Sequence, residues 1–247
     1  MLIKAGEIIS ESIKLYRENV KLFLTFVGIM FIPTAVMQVV ATPTNLISDK
    51  MGGMILLAIV LILVAVIINI WISIAFVRVI ANRYKGEKPK TLREEIVEAK
   101  KYFWSVLFAS ILTGLAVTGG TILLVIPGII FAVWFSFSMY TVIFEGKKGV
   151  DSLKASKAIV SGRWWSVLWR LFAPGFVFAI LAMVVQWAAS LIFFVTNPLG
   201  TAGLAIATVV VSAAAFLVLP LTTAAPTILY FNLKKTPVKS ETPESVK

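Results

Sequence analysis

Apolar residues occupy this chain in long unbroken blocks, and the charged residues are crowded into short segments between them. Residues 22–48, 51–77, 105–144 and 171–233 contain no Asp, Glu, Lys or Arg. A run of about 18 or more apolar residues is long enough to cross a bilayer as a helix. The blocks predict six such helices, over 20–41, 53–77, about 104–125, about 127–144, 165–194 and 204–233. The turn-rich segments TPTNLISDKMGG and TNPLGTAG separate the first two and the last two. The 105–144 block is too long for one crossing. Gly119-Gly120 and Pro127-Gly128 are its breakers, and a re-entrant pair is the alternative to two full crossings.

Between the blocks, apolar residues recur at the three- and four-residue spacing of surface helices. Ile9, Ile13, Tyr16 and Val20 form one stripe, with Glu7, Glu11, Lys14, Arg17, Glu18 and Lys21 at other positions. Thr91 with Glu94 three residues later makes a capping box that starts a second helix, striped by Leu92, Ile96 and Tyr102 or Phe103. A third helix is expected from about Val150 to Ser161, carrying Val150, Leu153, Ala158 and Ile159 and stopped by Gly162. Each leads into an aromatic entry: ENVKLFL from Glu18, YFWSVLF from Tyr102 and RWWSVLW from Arg163, the last two sharing WSVL at an offset of sixty-one residues. The expected fold is all-α and polytopic, with six transmembrane helices in three pseudo-repeats of interfacial amphipathic helix plus transmembrane hairpin. The repeats cover about 1–85, 91–146 and 149–233 of a single membrane domain, 1–233; a disordered cytoplasmic tail, 234–247, follows.

Composition carries the same message. The chain is 59% hydrophobic and 14% charged, against about 45–50% and about 25% in ordinary soluble domains. The first block is read as retained rather than as a secretory signal, because it exceeds the usual apolar core of about 7–15 residues and acidic residues precede it. Of 23 basic residues, 22 lie in the N-terminal segment, the 78–104 and 145–170 connections, or the tail; Lys50 alone lies elsewhere. With six crossings those four segments share one side, which the positive-inside rule makes cytoplasmic. A cell (inner or cytoplasmic) membrane location with both termini in the cytoplasm follows.

Chemistry is sparse. The chain has no cysteine and no histidine, which excludes disulfides, thiolate metal sites and imidazole catalysis. No phosphate loop, zinc-protease motif or nucleophile with a base partner is found, so no catalytic residue, metal or cofactor is expected. The arginine-flanked tryptophans of RWWSVLWR read as an interfacial aromatic belt and not as a nucleic-acid reader, because no recognised nucleic-acid fold accompanies them. Trp104, Trp164, Trp165 and Trp169 would set depth. Lys85, Lys88, Lys90, Lys147, Lys148, Lys154, Lys157 and Arg163 would face anionic headgroups, with Arg78 and Arg170 snorkelling from deeper positions. Inside the blocks, the amides of Asn69 and Gln186 call for partners across helix interfaces, and Thr222 and Thr223 sit in a segment kinked by Pro220 and Pro226.

The stretch Ile126 to Trp165, IPGIIFAVWFSFSMYTVIFEGKKGVDSLKASKAIVSGRWW, resembles the membrane-domain family found fused to glycerophosphoryl diester phosphodiesterases, and more distantly the YciC-like inner-membrane proteins. The resemblance rests on the turn Ile126, Pro127 and Gly128, on Glu145 and Gly146, on Ser152, Leu153, Lys154 and Ser156, and on Gly162 and Trp164. The chain departs from the family at Lys157, where an aromatic is usual, and in lacking a proline before Glu145-Gly146. The resemblance implies a multi-span helical membrane protein without an established catalytic role. The expected function is non-catalytic: binding of anionic membrane lipid, a partner membrane protein or a second copy of the chain through a basic cytoplasmic collar, without nucleic acid. The alternative is a small transporter or lipid-translocating protein with a path beside Asn69, Gln186 and the kinked last helix.

Overall fold

A computed structural model describes residues 2–41, 51–87 and 90–236. Lys88, most of the first predicted turn and the tail from residue 237 lie outside the described residues. Among those described, every regular element is helical.

The first amphipathic segment forms α1, Ala5–Glu18, which ends at Asn19 and bends by 90° into α2, Val20–Ala41. The face it buries is Ile8, Ser12 and Leu15, not the stripe expected from Ile9 and Ile13. Of the expected stripe, Ile9 and Tyr16 are partly buried at the edge of that face, and the outward face is mostly polar and charged. The Ile8 face packs on the protein, and Ile13 and Val20 stay exposed. Helix α3, Met51–Lys85, is 35 residues long, about 52 Å at about 1.5 Å per residue. It therefore continues through Arg78–Lys85, which charge alone assigned to a connection.

The capping box forms as expected. Glu94 N donates to Thr91 Oγ1 at 3.3 Å and Thr91 N donates to Glu94 Oε2 at 2.9 Å, starting α4, Leu92–Ala99. A short 3-10 turn, Lys100–Tyr102, leads into α5, Phe103–Leu123, which passes through Gly119 and Gly120 without a break. The break comes at Leu124, in extended conformation with φ −163° and ψ 146°, before α6, Val125–Phe135. Pro127 is tolerated in the first turn of α6, where its missing N–H costs no helical bond. The fourth predicted helix is split at Ser136 and Phe137, so that α7, Ser138–Glu145, is a separate element closed by Gly146 at φ 67°.

Helix α8, Gly149–Val160, stops just ahead of Gly162 at φ 80°, a left-handed conformation that glycine adopts without strain. Its inward face carries Ser152, Leu153, Ser156, Ile159 and Val160, while Val150 and Ala158 turn outward. Helix α9, Trp164–Ser190, precedes α10, Ile192–Thr196, and a 3-10 turn at Asn197–Leu199. The last predicted crossing is two elements, α11, Gly200–Phe216, and α12, Leu219–Lys235, broken immediately before Pro220.

By length and composition, four helical stretches can cross a membrane: Ile59–Lys85, Leu92–Leu123, Val125–Glu145 and Trp164–Lys235. The bent pair α1 and α2 raises the number to five if it counts as one. The 72-residue Trp164–Lys235 stretch is no single rod, since α9 and α11 pack on each other across residues 191–199. Burial is concentrated at one end of the molecule. Phe23, Phe26 and Phe76 interlock, as do Phe137, Tyr140, Phe144, Tyr230 and Phe231. Ile62, Leu63, Phe172, Phe176, Val184 and Phe194 are exposed instead. Acyl chains are the solvent such a surface requires, and with tails as apolar as leucine the helices are held together by packing and hydrogen bonds.

Candidate functional site

The basic end is assembled by side chains that reach across the sequence. Arg163, one residue before α9, donates from Nε to Ile159 O at 2.9 Å, from Nη2 to Leu233 O at 2.9 Å and from Nη1 to Thr236 O. One guanidinium thus caps the last carbonyls of both α8 and α12, groups that a helix end leaves unpaired and that carry the negative pole of its dipole. Burial pulls the Arg163 guanidinium below its ordinary pKa. Its donors are directed at carbonyls rather than headgroups, which corrects its sequence assignment.

Arg170 is corrected likewise. Its Nε donates to Ile3 O at 2.6 Å and its Nη1 to Ser166 O at 2.9 Å, so it ties the N-terminal segment to α9 instead of snorkelling. Arg78 binds Glu95 at 3.3 Å and also Glu98, and its guanidinium lies over the Tyr102 ring at 5.3 Å. Asn82 Nδ2 donates to the other oxygen of Glu95 at 2.7 Å, and Trp71 Nε1 donates to Ile96 O at 2.8 Å. Glu95 is 2% exposed. This cluster clamps α4 along α3, with both carboxylate oxygens of Glu95 satisfied. A third knot joins α7 to α12, where Glu145 accepts from Tyr230 Oη at 2.6 Å and pairs with Lys234 at 3.1 Å.

These clamps separate the basic candidates. Lys85 lies over Phe231 at 4.6 Å and Phe144 at 5.5 Å and pairs with Glu87 at 3.4 Å. Lys90 donates to Glu98 at 2.7 Å, and that hydrogen bond raises its pKa. Lys157 stacks over Trp134 at 4.2 Å. Lys147, Lys148 and Lys154 are exposed and have no side-chain hydrogen bond, ion pair or ring contact among the described residues. Lys88 lies outside the described residues. Of these candidates, Lys147 and Lys148 at the α7–α8 junction and Lys154 on α8 remain open to a ligand.

Trp104, Trp165 and Trp169 are exposed, and Trp164 is half-buried, with Nε1 donating to Ile130 O at 3.5 Å. Exposed tryptophans at the starts of apolar helices are the composition of a membrane boundary. A groove of about 420 Å³ opens there, lined by Ile126, Ile130, Trp134, Gly162, Trp164 and Trp165 among others.

The intramembrane amides behave differently from the expectation. Asn69 Nδ2 donates to Ala65 O of its own helix at 2.9 Å, and Gln186 is exposed beside the exposed Trp187. The bond between helices falls to a residue not singled out by sequence, Gln38, whose Nε2 donates to Ser212 Oγ at 2.7 Å and joins α2 to α11. Thr222 and Thr223 both donate to Leu219 O, within α12. Among the described residues no cluster of metal-ligating side chains occurs. Comparison of the chain with protein-family models, curated proteins and solved structures gave no match, so the site's own chemistry carries the functional reading.

Proposed function

We propose that this is a non-catalytic, multi-pass membrane protein whose basic end, facing the cytoplasm with both termini, binds anionic lipid headgroups. The observation that carries the reading is that Lys147 and Lys148, just before α8, and Lys154 on it are exposed and have no side-chain partner among the described residues, while Trp165 and Trp169, which follow α8 in the chain, are exposed too. Near-surface lysines attract anionic headgroups by about 1 kcal/mol each, so three give a selectivity that a zwitterionic lipid does not match. Arg78, Lys85, Lys90, Lys157, Arg163 and Arg170 are instead engaged with carboxylates, rings or backbone carbonyls. The threefold repeat draws support from the element order, in which α1, α4 and α8 each precede a longer apolar pair. The bilayer topology, with six crossings or with a re-entrant middle pair, keeps all the basic segments on one side. Native mass spectrometry of the protein released from its membrane tests the reading. Wild type should carry anionic phospholipid, and a Lys147→Gln, Lys148→Gln, Lys154→Gln variant should lose it; equal retention by both would contradict the proposal.

A further inference from the structure

The hairpin of α5 and α6 is closed tightly and ends in an apolar turn. A Cβ on Gly128 would lie 2.1 Å from Thr121 Oγ1, and one on Gly120 would lie 2.7 Å from Phe131, so the two helices touch through their glycines. The turn itself, Ile122 to Ile126, consists of five apolar residues that are 65% to 80% exposed. The turn between α9 and α11, in contrast, contains Thr196, Asn197, Pro198 and Gly200. Five bare aliphatic side chains suit hydrocarbon and not an aqueous loop.

Position decides between a crossing and a dip. Arg163 holds the start of α9 against the end of α12, and Glu145 is paired with Lys234 at the same end. Trp164 and Trp187 are separated by 23 positions along α9, about 34 Å at about 1.5 Å per residue. That is the thickness of a bilayer's hydrocarbon core, about 30 Å, so the two tryptophans mark opposite boundaries. The hairpin stays near the first of them. Trp164 Nε1 reaches Ile130 O, and Ile126, Ile130 and Trp134 share one groove with Gly162, Trp164 and Trp165. From Ile130 the chain has only five residues left before the turn at Val125, about 8 Å of helix. Even with the reach of the indole added, the tip falls far short of Trp187.

We infer that the α5–α6 hairpin is re-entrant: it enters and leaves the membrane on the side where α9 begins, and its Ile122–Ile126 tip is seated among acyl chains of that leaflet. Basic residues on both flanks, Lys100 and Lys101 before α5 and Lys147 and Lys148 after α7, stay on that side. Helix α5 is 21 residues long, about 31 Å, so it lies steeply tilted to reach no further than the middle of the bilayer. The inference does not depend on the headgroup reading.

The chain has no cysteine, so single-cysteine spin labels measure depth directly. Labels at the exposed positions Phe108, Ile111, Leu115, Ile122 and Leu124 would be compared with labels at Phe172, Val177, Met183 and Trp187 on α9, by power saturation with oxygen and a polar nickel chelate in liposomes. The α9 series should rise to a maximum and fall again, whereas the α5 series should be deepest at Leu124. A maximum near Leu115 with a return to shallow depth at Leu124, or no depth gradient along α5, would overturn the inference.

Discussion

The Arg163 guanidinium lies 2.9 Å from the carbonyl of Leu233, a residue seventy positions away, and the same side chain accounts for the end of α8 through Ile159. A single planar fork therefore fixes where two helices stop relative to one another. Lysine, with a point charge on a flexible stem, cannot reproduce three directed donors.

Arg163→Lys should therefore destabilise the protein almost as much as Arg163→Met. Hydrogen bonds to charged groups contribute about 1.5–3 kcal/mol each in net terms, and the buried carbonyls would be left short of donors. Thermal unfolding in detergent checks this; a melting temperature unchanged in the lysine variant would rule out the clamp.

Arg78→Met should be among the most damaging single changes at this end. It leaves the Glu95 carboxylate buried without its cation, and breaking a buried pair in this way costs about 3–5 kcal/mol. Replacing Glu95 by leucine in the same chain should recover much of the loss, since no charge is then stranded. Unfolding of the two variants, measured side by side, distinguishes this from a mere packing effect.

For the α7–α12 knot, Tyr230→Phe removes one hydroxyl and the 2.6 Å bond to Glu145 while Lys234 still pairs with the carboxylate. The expected loss is about 1 kcal/mol. A double-mutant cycle with Glu145→Gln should give a coupling in the range of about 0.5–3 kcal/mol, and a coupling of zero would remove the knot from the account.

Glycine at 128 and glycine at 119 should respond in opposite directions. Gly128→Ala drives a methyl group into Thr121 and should cost about 1–3 kcal/mol. Gly119 has open space around it among the described residues, so Gly119→Ala should stabilise α5 by about 0.4–1 kcal/mol. Stability measurements on the pair test whether the hairpin closes where the structure has it.

Local signals were legible in the sequence. Thr91 and Glu94 announce the start of α4, Gly162 the end of α8, and the charge-free blocks the apolar helices, because each depends on residues within a few positions of one another. Breaks that arise from packing were less visible: the chain turns at Leu124, beyond Gly119-Gly120 and ahead of Pro127-Gly128, and divides at Ser136 without a distinctive residue, while the division just before Pro220 was legible only as a kink. The clamps had no local signature. Arg78 and Glu95 are 17 positions apart, Tyr230 and Glu145 85 positions apart, and nothing in either neighbourhood marks the partner. Charge count alone therefore put Arg163 and Arg170 with the headgroup lysines, although their donors are taken up by backbone carbonyls. The α1 stripe was only partly right: Ile9 and Tyr16 pack against the core, but the centre of the buried face is Ile8, Ser12 and Leu15, where a serine interrupts the apolar pattern.

Lipid-linked stability tests the central claim most directly. A ligand that binds only the folded state raises stability by RT ln(1 + [L]/Kd). Phosphatidylglycerol added to detergent-solubilised wild type should raise the melting temperature more than the same amount of phosphatidylcholine, and the difference should vanish when Lys147, Lys148 and Lys154 are all glutamine. Equal stabilisation by the two lipids in wild type, or a phosphatidylglycerol effect that survives the triple replacement, would contradict the account.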